Sequence, residues 1–515
     1  MSAKQIVQAP FQTGVIDIGA HAVRLDIYEL NRNWKSERLE TLSRRLSLGT
    51  DVFRDGFVSA DNVSKLIGIV EKFQQKLREY GAKYFQVVAT SALREAFNRE
   101  LIIDRFRDVG LNLQILDAPR EATVTYLAGK EVVRAAKPEA FNRAVMLILG
   151  SGSLFVIGVM NDLMCFCEEI PTGFLRVNDD PSVTGSAVEQ LHQSLNSQRI
   201  LWRLAEFMPG GEDEKTTLVI VGNSARKLSA LAGRELGNED ECAAFSGKEF
   251  AKVLENCRQM SKKYFHKLEE NEVAEVSAAA AIIGFFFNQM NCKQILCPGT
   301  TTRGAVLRDW IRRCREPGEE AFRSDLASVC GAIGKRYDFD REHAKSVAGY
   351  CGVLYSKLRH YYSLPEKSSL LLEAAAYLHD IGRFVDARHH QKHSWYLISN
   401  TQLPGVSKSE HRIIAAVSRY HGKSVPRENH PEYSALSADE KVAVLKLAAI
   451  LRLADALDNR AEGAHMEIKP VIRGKVLRIL TDSEISGARR YDVKLKGELF
   501  EQVFGLEIKV LENEL

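Results

Sequence analysis

The sequence predicts an α/β plus all-α chain that ends in a small C-terminal α+β unit. Three observations point there. Strand-like and helix-like runs alternate from the N-terminus to about Arg303, as parallel-containing α/β domains require. Two stretches, Thr13–Leu30 and Ala144–Met160, share one plan of strand, glycine-containing turn and strand. From Arg308 to Leu451 the chain is Leu/Ala-rich and nearly free of strand signals, and beyond Met466 alternation returns. At 515 residues the chain is too long for one core, and about three to five domains are expected.

In the first block, Asp61 is expected to cap a helix carrying Val63, Leu66, Ile67, Val70, Phe73 and Leu77, ended by Gly81. Phe85–Ala89 and Leu113–Leu116 read as short strands, and a helix opens at Pro119 and runs towards Val133. Arg134–Asn142 reads as a connector. In the second block, Leu218–Gly222 is a strand leading into a helix, and Gln294–Cys297 is a strand leading into Pro298-Gly299 and three threonines. Val276–Phe287 is apolar but short for a membrane span, and reads as a buried helix. In the tail, the runs from Met466, Tyr491 and Phe504 are read as β-rich. The expected domains are 1–135, 136–307, 308–460 and 461–515.

Composition excludes the extremes. Lys+Arg 70 against Asp+Glu 67 leaves +3, so no broad charge names a nucleic-acid or membrane partner. The N-terminus lacks an apolar secretory segment. Nine scattered cysteines, with Cys165-x-Cys167 lacking a second pair, fit reduced thiols in the cytoplasm. Histidine is uneven: ten of thirteen fall from His343 onward, which suggests two chemistries in one chain.

Glycine turns between strands admit phosphate, because their N–H groups converge and no Cβ blocks approach. They are equally the turns of ordinary hairpins. Asp17-Ile18-Gly19 ends the first strand, and Thr90-Ser91-Ala92-Leu93-Arg94 follows the third, bringing hydroxyls and a guanidinium. Glu121 falls in the first turn of the Pro119 helix. There it is either a general base for water or only an acid matched to the helix dipole.

These residues resemble the exopolyphosphatase / guanosine pentaphosphate phosphatase (Ppx/GppA) family, of the sugar kinase–Hsp70–actin fold group. The likeness is carried by Asp17-Ile18-Gly19 with Val23-Arg24-Leu25, by Leu46-x-Leu48-Gly49, and above all by Ala89-Thr90-Ser91-Ala92-Leu93-Arg94-Glu95-Ala96-x-Asn98. Arg120-Glu121-Ala122, Gly150-Ser151-Gly152-Ser153 and Ser224-Ala225-Arg226 extend it. The resemblance implies two actin-like α/β domains and hydrolysis of a terminal phosphoanhydride of inorganic polyphosphate or guanosine pentaphosphate, usually with Mg²⁺. It implies Glu121 as catalytic base, phosphate contacts at Asp17, Gly19, Arg24, Arg94, Gly150, Ser151, Gly152 and Ser153, and a homodimer.

The departures fall at chemical positions. Ala20-His21-Ala22 stands where the family has Ser-Asn-Ser; His21 is a phosphate donor when protonated or simply a turn histidine. Ile148 and Phe155 stand where the family flanks its glycine loop with acids, which weakens the expected magnesium site. Arg303-Gly304-Ala305 replaces the family's Arg-Glu-Gly.

Further on, an apolar helix ends in His379-Asp380, between His343 upstream and Asp455 downstream. That spacing resembles the HD phosphohydrolase superfamily, which implies an all-α HD-type domain with a divalent metal, Mg²⁺, Mn²⁺ or another, on His343, His379, Asp380 and Asp455. His389, His390, His393 and His421 are additional candidates, and Arg383 lies where a basic residue meets phosphate. From Arg303 to His360 the chain carries twelve Lys/Arg against eight Asp/Glu, either a channel lining or a solvated face. Three readings stay open: phosphoanhydride hydrolysis in the N-terminal cleft, metal-dependent hydrolysis at the histidine-rich site, and a polyphosphate or alarmone sensor without turnover. No nucleic-acid or membrane partner is expected.

Overall fold

The computed structural model describes residues 10–172, 200–208, 216–259, 265, 268, 270–290, 292–315, 320–458 and 466–512. The chain divides into two units, Met1–Pro317 and Gly318–Leu515.

The first unit carries two sheets of one design. The first contains β1 (Phe11–Ile18), β2 (Ala22–Leu30), β3 (Ser36–Arg45), β4 (Tyr84–Ala89) and β5 (Leu113–Ile115), in the order β3-β2-β1-β4-β5. β1 to β3 form an antiparallel meander, while β4 pairs parallel with both β1 and β5. The second contains β6 (Arg143–Leu149), β7 (Leu154–Met160), β8 (Leu163–Ile170), β9 (Thr217–Val221), β10 (Cys242–Ser246) and β11 (Gln294–Pro298). Its order from the other edge is β8-β7-β6-β9-β11-β10, which repeats the first sheet and adds β10 antiparallel to β11. The duplication seen in the two β-turn-β openings therefore extends through five strands. Sequence reading passed over β3, β8 and β10. β3 (SERLETLSRR) is an edge strand with no buried residue, so no apolar stripe marks it.

Local chemistry sets the helices. Ser59, rather than Asp61, caps the helix Ala60–Glu79, accepting from the Asn62 N–H at 3.4 Å; Asp61 sits in its first turn. Leu66, Val70, Phe73 and Leu77 are the face it buries on the first sheet's core. Asp117 caps Ala118–Ala136, a helix that covers the first residues of the expected connector; a 3₁₀ turn, Pro138–Asn142, takes up the rest. The apolar helix is longer than its sequence core, spanning Glu270–Met290. Its stretch Glu272–Met290 is long and apolar enough to cross a bilayer. Here Val276, Ile282, Ile283 and Phe286 are buried in the second sheet's core.

The second unit opens with the long helices Glu320–Arg336, Arg341–Tyr362, Ser368–Leu378, Lys408–Arg419 and Ala438–Leu457, with His390–Ser399 between the third and fourth. It closes with the hairpin β12 (Ile468–Arg473) and β13 (Val476–Thr481), the helix Gly487–Phe504, and β14 (Glu507–Glu512) parallel to β13. The tail run beginning at Tyr491 is therefore helical, not β. Ser486 caps that helix, and Val493, Gly497, Phe500 and Phe504 recur at helical spacing as its buried face. Two expected domain boundaries also differ from the elements. Position 135/136 falls inside Ala118–Ala136, and 307/308 falls inside the helix Thr302–Arg315. Position 460/461 lies outside the described residues.

Candidate functional site

Between the two sheets of the first unit lies a cavity of about 100 Å³, roughly three waters' share of liquid volume and enough for one phosphoryl group. Asp17, Gly19, Arg24, Thr90, Ser91, Glu121, Gly150, Ser151 and Ser153 line it. Gly152 sits just behind. A Cβ there would lie 2.5 Å from Phe53 Cζ and 2.7 Å from Ser91 Oγ, so glycine lets this turn pack closely on the Phe53 ring and Ser91. The Gly150 N–H donates to the Ser153 carbonyl at 2.9 Å, which closes the turn on itself.

The charges of the cleft are paired. Arg94 Nη1 donates to Glu121 Oε2 at 2.7 Å and to the Leu116 carbonyl at 3.0 Å, while Nη2 reaches Glu169 Oε1 at 3.2 Å. The guanidinium expected to meet phosphate is thus a clamp on two carboxylates. Burial raises the pKa of Glu121, and Arg94 opposes the rise. Asp17, raised by burial and opposed by Arg303 and Arg24, lies 3.6 Å from Arg303 Nη1. Arg303 Nε in turn lies 2.6 Å from fully buried Asp26. Burial lowers the pKa of Arg24, which Asp17 opposes. Asp26, Glu169 and Arg303 were not named as site residues. Consecutive acids in an otherwise apolar strand, Glu168-Glu169, were the available signal for one of them.

Three carboxylates line this cleft, and two are already paired: Glu121 with Arg94, and Glu275 with Ser224 and Lys227. Ile148 and Phe155 are buried and line it, so the loop offers no carboxylate. Asp17 Oδ1 is buried without a hydrogen-bond partner and is the available protein ligand. Magnesium accepts one or two carboxylates plus substrate phosphates. Asp17 would therefore hold an ion that the phosphates also hold.

In the second unit the histidine-rich residues converge. His343, His379 and Asp380 group within 4.8 Å, as do His379, His421 and Asp455, and Asp380, His390 and His421. All four residues named from the HD-like spacing are here, and His390 and His421 join them. His389 is exposed and His393 half-buried, and neither belongs to these groups. Each imidazole is held by Nδ1. His343 donates to Asp458 Oδ2 at 2.7 Å, His379 to the Ala376 carbonyl at 2.7 Å, His390 to Ala387 at 2.9 Å and His421 to Ser418 at 2.7 Å. A carboxylate or carbonyl can only accept, so Nδ1 carries the proton and a neutral ring presents a bare Nε2. Those Nε2 atoms face one another at 3.1 Å, His343 against His379 and His390 against His421. Facing lone pairs repel unless a cation sits among them. Asp380 Oδ1 is buried without a hydrogen-bond partner, 3.2 Å from His390 Nε2 and 3.5 Å from His421 Nε2. Burial pulls His379 down to about 4, so its ring is neutral near pH 7. Burial opposes ionisation of Asp380 and Asp455, but the histidines, and at Asp455 chiefly Lys496, hold both well below the usual carboxylate range.

A duplicated α/β unit with paired charges around a phosphoryl-sized cleft belongs to the phosphate-handling class. Residues 32–313 match the Ppx/GppA phosphatase family, and residues 327–485 match Ppx/GppA phosphatase, domain III. The chain belongs to the Ppx/GppA phosphatase family. It is 22% identical over 484 residues to a guanosine-5'-triphosphate,3'-diphosphate pyrophosphatase of Vibrio vulnificus, covering 91% of each chain. A protein of the same name from Photobacterium profundum is 21% identical over 445 residues, covering 83% of this chain and 82% of its own. The crystal structure of an exopolyphosphatase from Cytophaga hutchinsonii aligns with TM-score 0.50 and 18% identity, over 58% of this chain and 97% of that one. The region read as HD-like is thus matched as the family's own domain III. Phosphatases of this family generally depend on divalent metals.

Proposed function

We propose that the cleft of the first unit hydrolyses the terminal phosphoanhydride of inorganic polyphosphate or guanosine pentaphosphate. The buried Arg94–Glu121 pair at a phosphoryl-sized cavity is the observation that carries this reading. The two turns, Asp17–Ala22 and Gly150–Ser153, hold the terminal phosphoryl group, with Thr90 and Ser91 beside them. A substrate phosphate draws Arg94 partly away from Glu121 and frees the carboxylate. Glu121 takes a proton from water, the water oxygen bonds to phosphorus, and the bridging P–O bond breaks towards the shortened chain or nucleotide. Asp17 is the residue that would help hold a divalent ion, which would supply charge neutralisation. The two β-turn-β lobes support an actin-like assignment, and a cytoplasmic homodimer without nucleic-acid or membrane partners completes the reading. Phosphate release from both substrates by wild type, Glu121→Ala and Asp380→Ala tests it. Loss with Glu121→Ala alone supports the cleft. Tight binding of either substrate without turnover supports a sensor.

A second proposal concerns the other unit. The facing Nε2 pairs and the unpartnered Asp380 oxygen favour divalent cations on His343, His379, Asp380 and Asp455, with His390 and His421 completing the set. Imidazole-rich sites suit zinc, copper, iron or nickel better than magnesium, and the carboxylates also admit manganese. Elemental analysis of the purified full chain tests this. Absence of transition metal, and no uptake of Mn²⁺ or Zn²⁺ on titration, overturns it.

A further inference from the structure

We propose that Lys496 is a positioning residue of the His/Asp centre, which makes the C-terminal helix Gly487–Phe504 part of that centre. The inference rests on the reading that the centre holds divalent cations. Asp455 divides its oxygens. Oδ1 lies 3.5 Å from His343 Nε2 and 4.0 Å from His379 Nε2, while Oδ2 accepts from the Lys496 ammonium. The carboxylate torsion of aspartate is broad. A bond on one oxygen is therefore what fixes the direction of the other. Asp455 lies on the helix Ala438–Leu457, and Lys496 reaches it from a separate element.

The same position makes a second tie. The Lys496 carbonyl accepts from Arg452 Nε at 3.2 Å, and Arg452 lies on the Asp455 helix, nearly one turn earlier. Arg452 Nη1 donates to the Gly422 carbonyl and, at 3.1 Å, to that of Ser424, in the segment that leaves His421. Arg452 is 3% exposed, so these bonds are made away from solvent. One residue of the C-terminal helix thus orients Asp455 through its side chain, and through its carbonyl and Arg452 anchors the segment that follows His421. Asp458 performs the matching task for His343, by accepting the hydrogen bond from its Nδ1–H. Partners of this kind, bonded to ligands rather than to the ion, commonly change metal affinity about 10–100-fold.

A different role would have the opposite sign. If the ammonium merely stood in for a cation on Asp455, its removal would tighten binding. The test uses the full chain as wild type, Lys496→Met and Lys496→Arg, stripped by chelator and titrated with Mn²⁺ or Zn²⁺ against a chromophoric competitor. Thermal unfolding of each stripped protein runs alongside. Expected results are an unchanged stoichiometry, affinity weakened about 10–100-fold in Lys496→Met, substantial recovery in Lys496→Arg, and cooperative unfolding of every stripped protein, at a lower temperature in Lys496→Met because Asp455 loses its cation. Equal or tighter binding by Lys496→Met overturns the proposal while leaving the metal centre standing. A wild type that takes up no ion removes the centre and the proposal together. Should Lys496→Met fail to fold, Lys496→Gln takes its place: weakened affinity supports the proposal, and wild-type affinity overturns it.

Discussion

Arg94 Nη1 lies 2.7 Å from Glu121 Oε2, and both side chains are about 10% exposed. The two come from different helices of the first lobe, Ser91–Glu95 and Ala118–Ala136. The pair places the only base invoked for the reaction under the control of a guanidinium that a phosphate can compete for. A buried pair broken from one side leaves an uncompensated charge, at a cost of about 3–5 kcal/mol. Arg94→Ala should therefore lower the unfolding midpoint and raise the Glu121 pKa further. Denaturant unfolding and the pH–rate profile of that variant check both. Glu121→Gln, which preserves volume, should reduce kcat about 10²–10⁴-fold with a smaller change in KM.

Burial raises the pKa of Glu121 above its ordinary value despite Arg94. A carboxyl with a raised folded-state pKa contributes stability below its unfolded pKa. It loses that contribution as pH rises through the folded value. Asp17 has the same sign. Between the ordinary glutamate value and the raised one, stability of the first unit should fall with rising pH, and Glu121→Gln should flatten that dependence. Urea midpoints of both proteins across mildly acidic pH measure it. The acidic limb of the wild-type rate profile should be displaced upward in the same direction.

Ile148 occupies a cleft position where the resemblance expects an acid. Ile148→Glu should lower the Mg²⁺ concentration needed for half-maximal activity, because a second carboxylate joins Asp17. It should also cost stability, since the residue is 6% exposed. Magnesium titration of activity and thermal unfolding separate the effects. An unchanged magnesium requirement would count against Asp17 as the lone ligand.

Glu239 fills the volume left by Gly304. A Cβ at 304 would lie 1.7 Å from Glu239 Oε2. The carboxylate accepts from the Thr301 hydroxyl, whose oxygen accepts the Gly304 N–H at 3.1 Å, at the start of the helix Thr302–Arg315. The loop before β10 thus places a carboxylate in the space beside Gly304. Gly304→Glu alone should destabilise through overpacking, by about 1–3 kcal/mol. Combined with Glu239→Ala it should be tolerated better than either change alone. A thermal double-mutant cycle reads the coupling.

The residues that are neighbours in sequence were legible from sequence. The Ala89–Asn98 string, the two glycine turns and the Glu121 helix start all lie where local spacing placed them, since turns and helix starts are set by residues a few positions apart. The edge strand β3 and the helix Gly487–Phe504 were not. One has no buried stripe, and in the other a short alternating run lay inside a longer helical period. The convergence of His343, His379, Asp380 and Asp455 followed from a spacing resemblance. The choice of His390 over His389 and His393 did not, because only helix orientation decides which of nearby side chains faces inward.

By itself, then, the sequence determined the α/β and α-helical division, the repeated β-turn-β plan and the identity of most groups around both sites. Tertiary structure alone decided how those groups are used. It closed Arg94 on Glu121, brought Glu239 into the space of Gly304, and set Lys496 on Asp455. Charge pairing depends on distances of a few ångströms between residues tens or hundreds of positions apart, and Coulomb energy falls with that distance. Chain order carries no record of it until the fold closes.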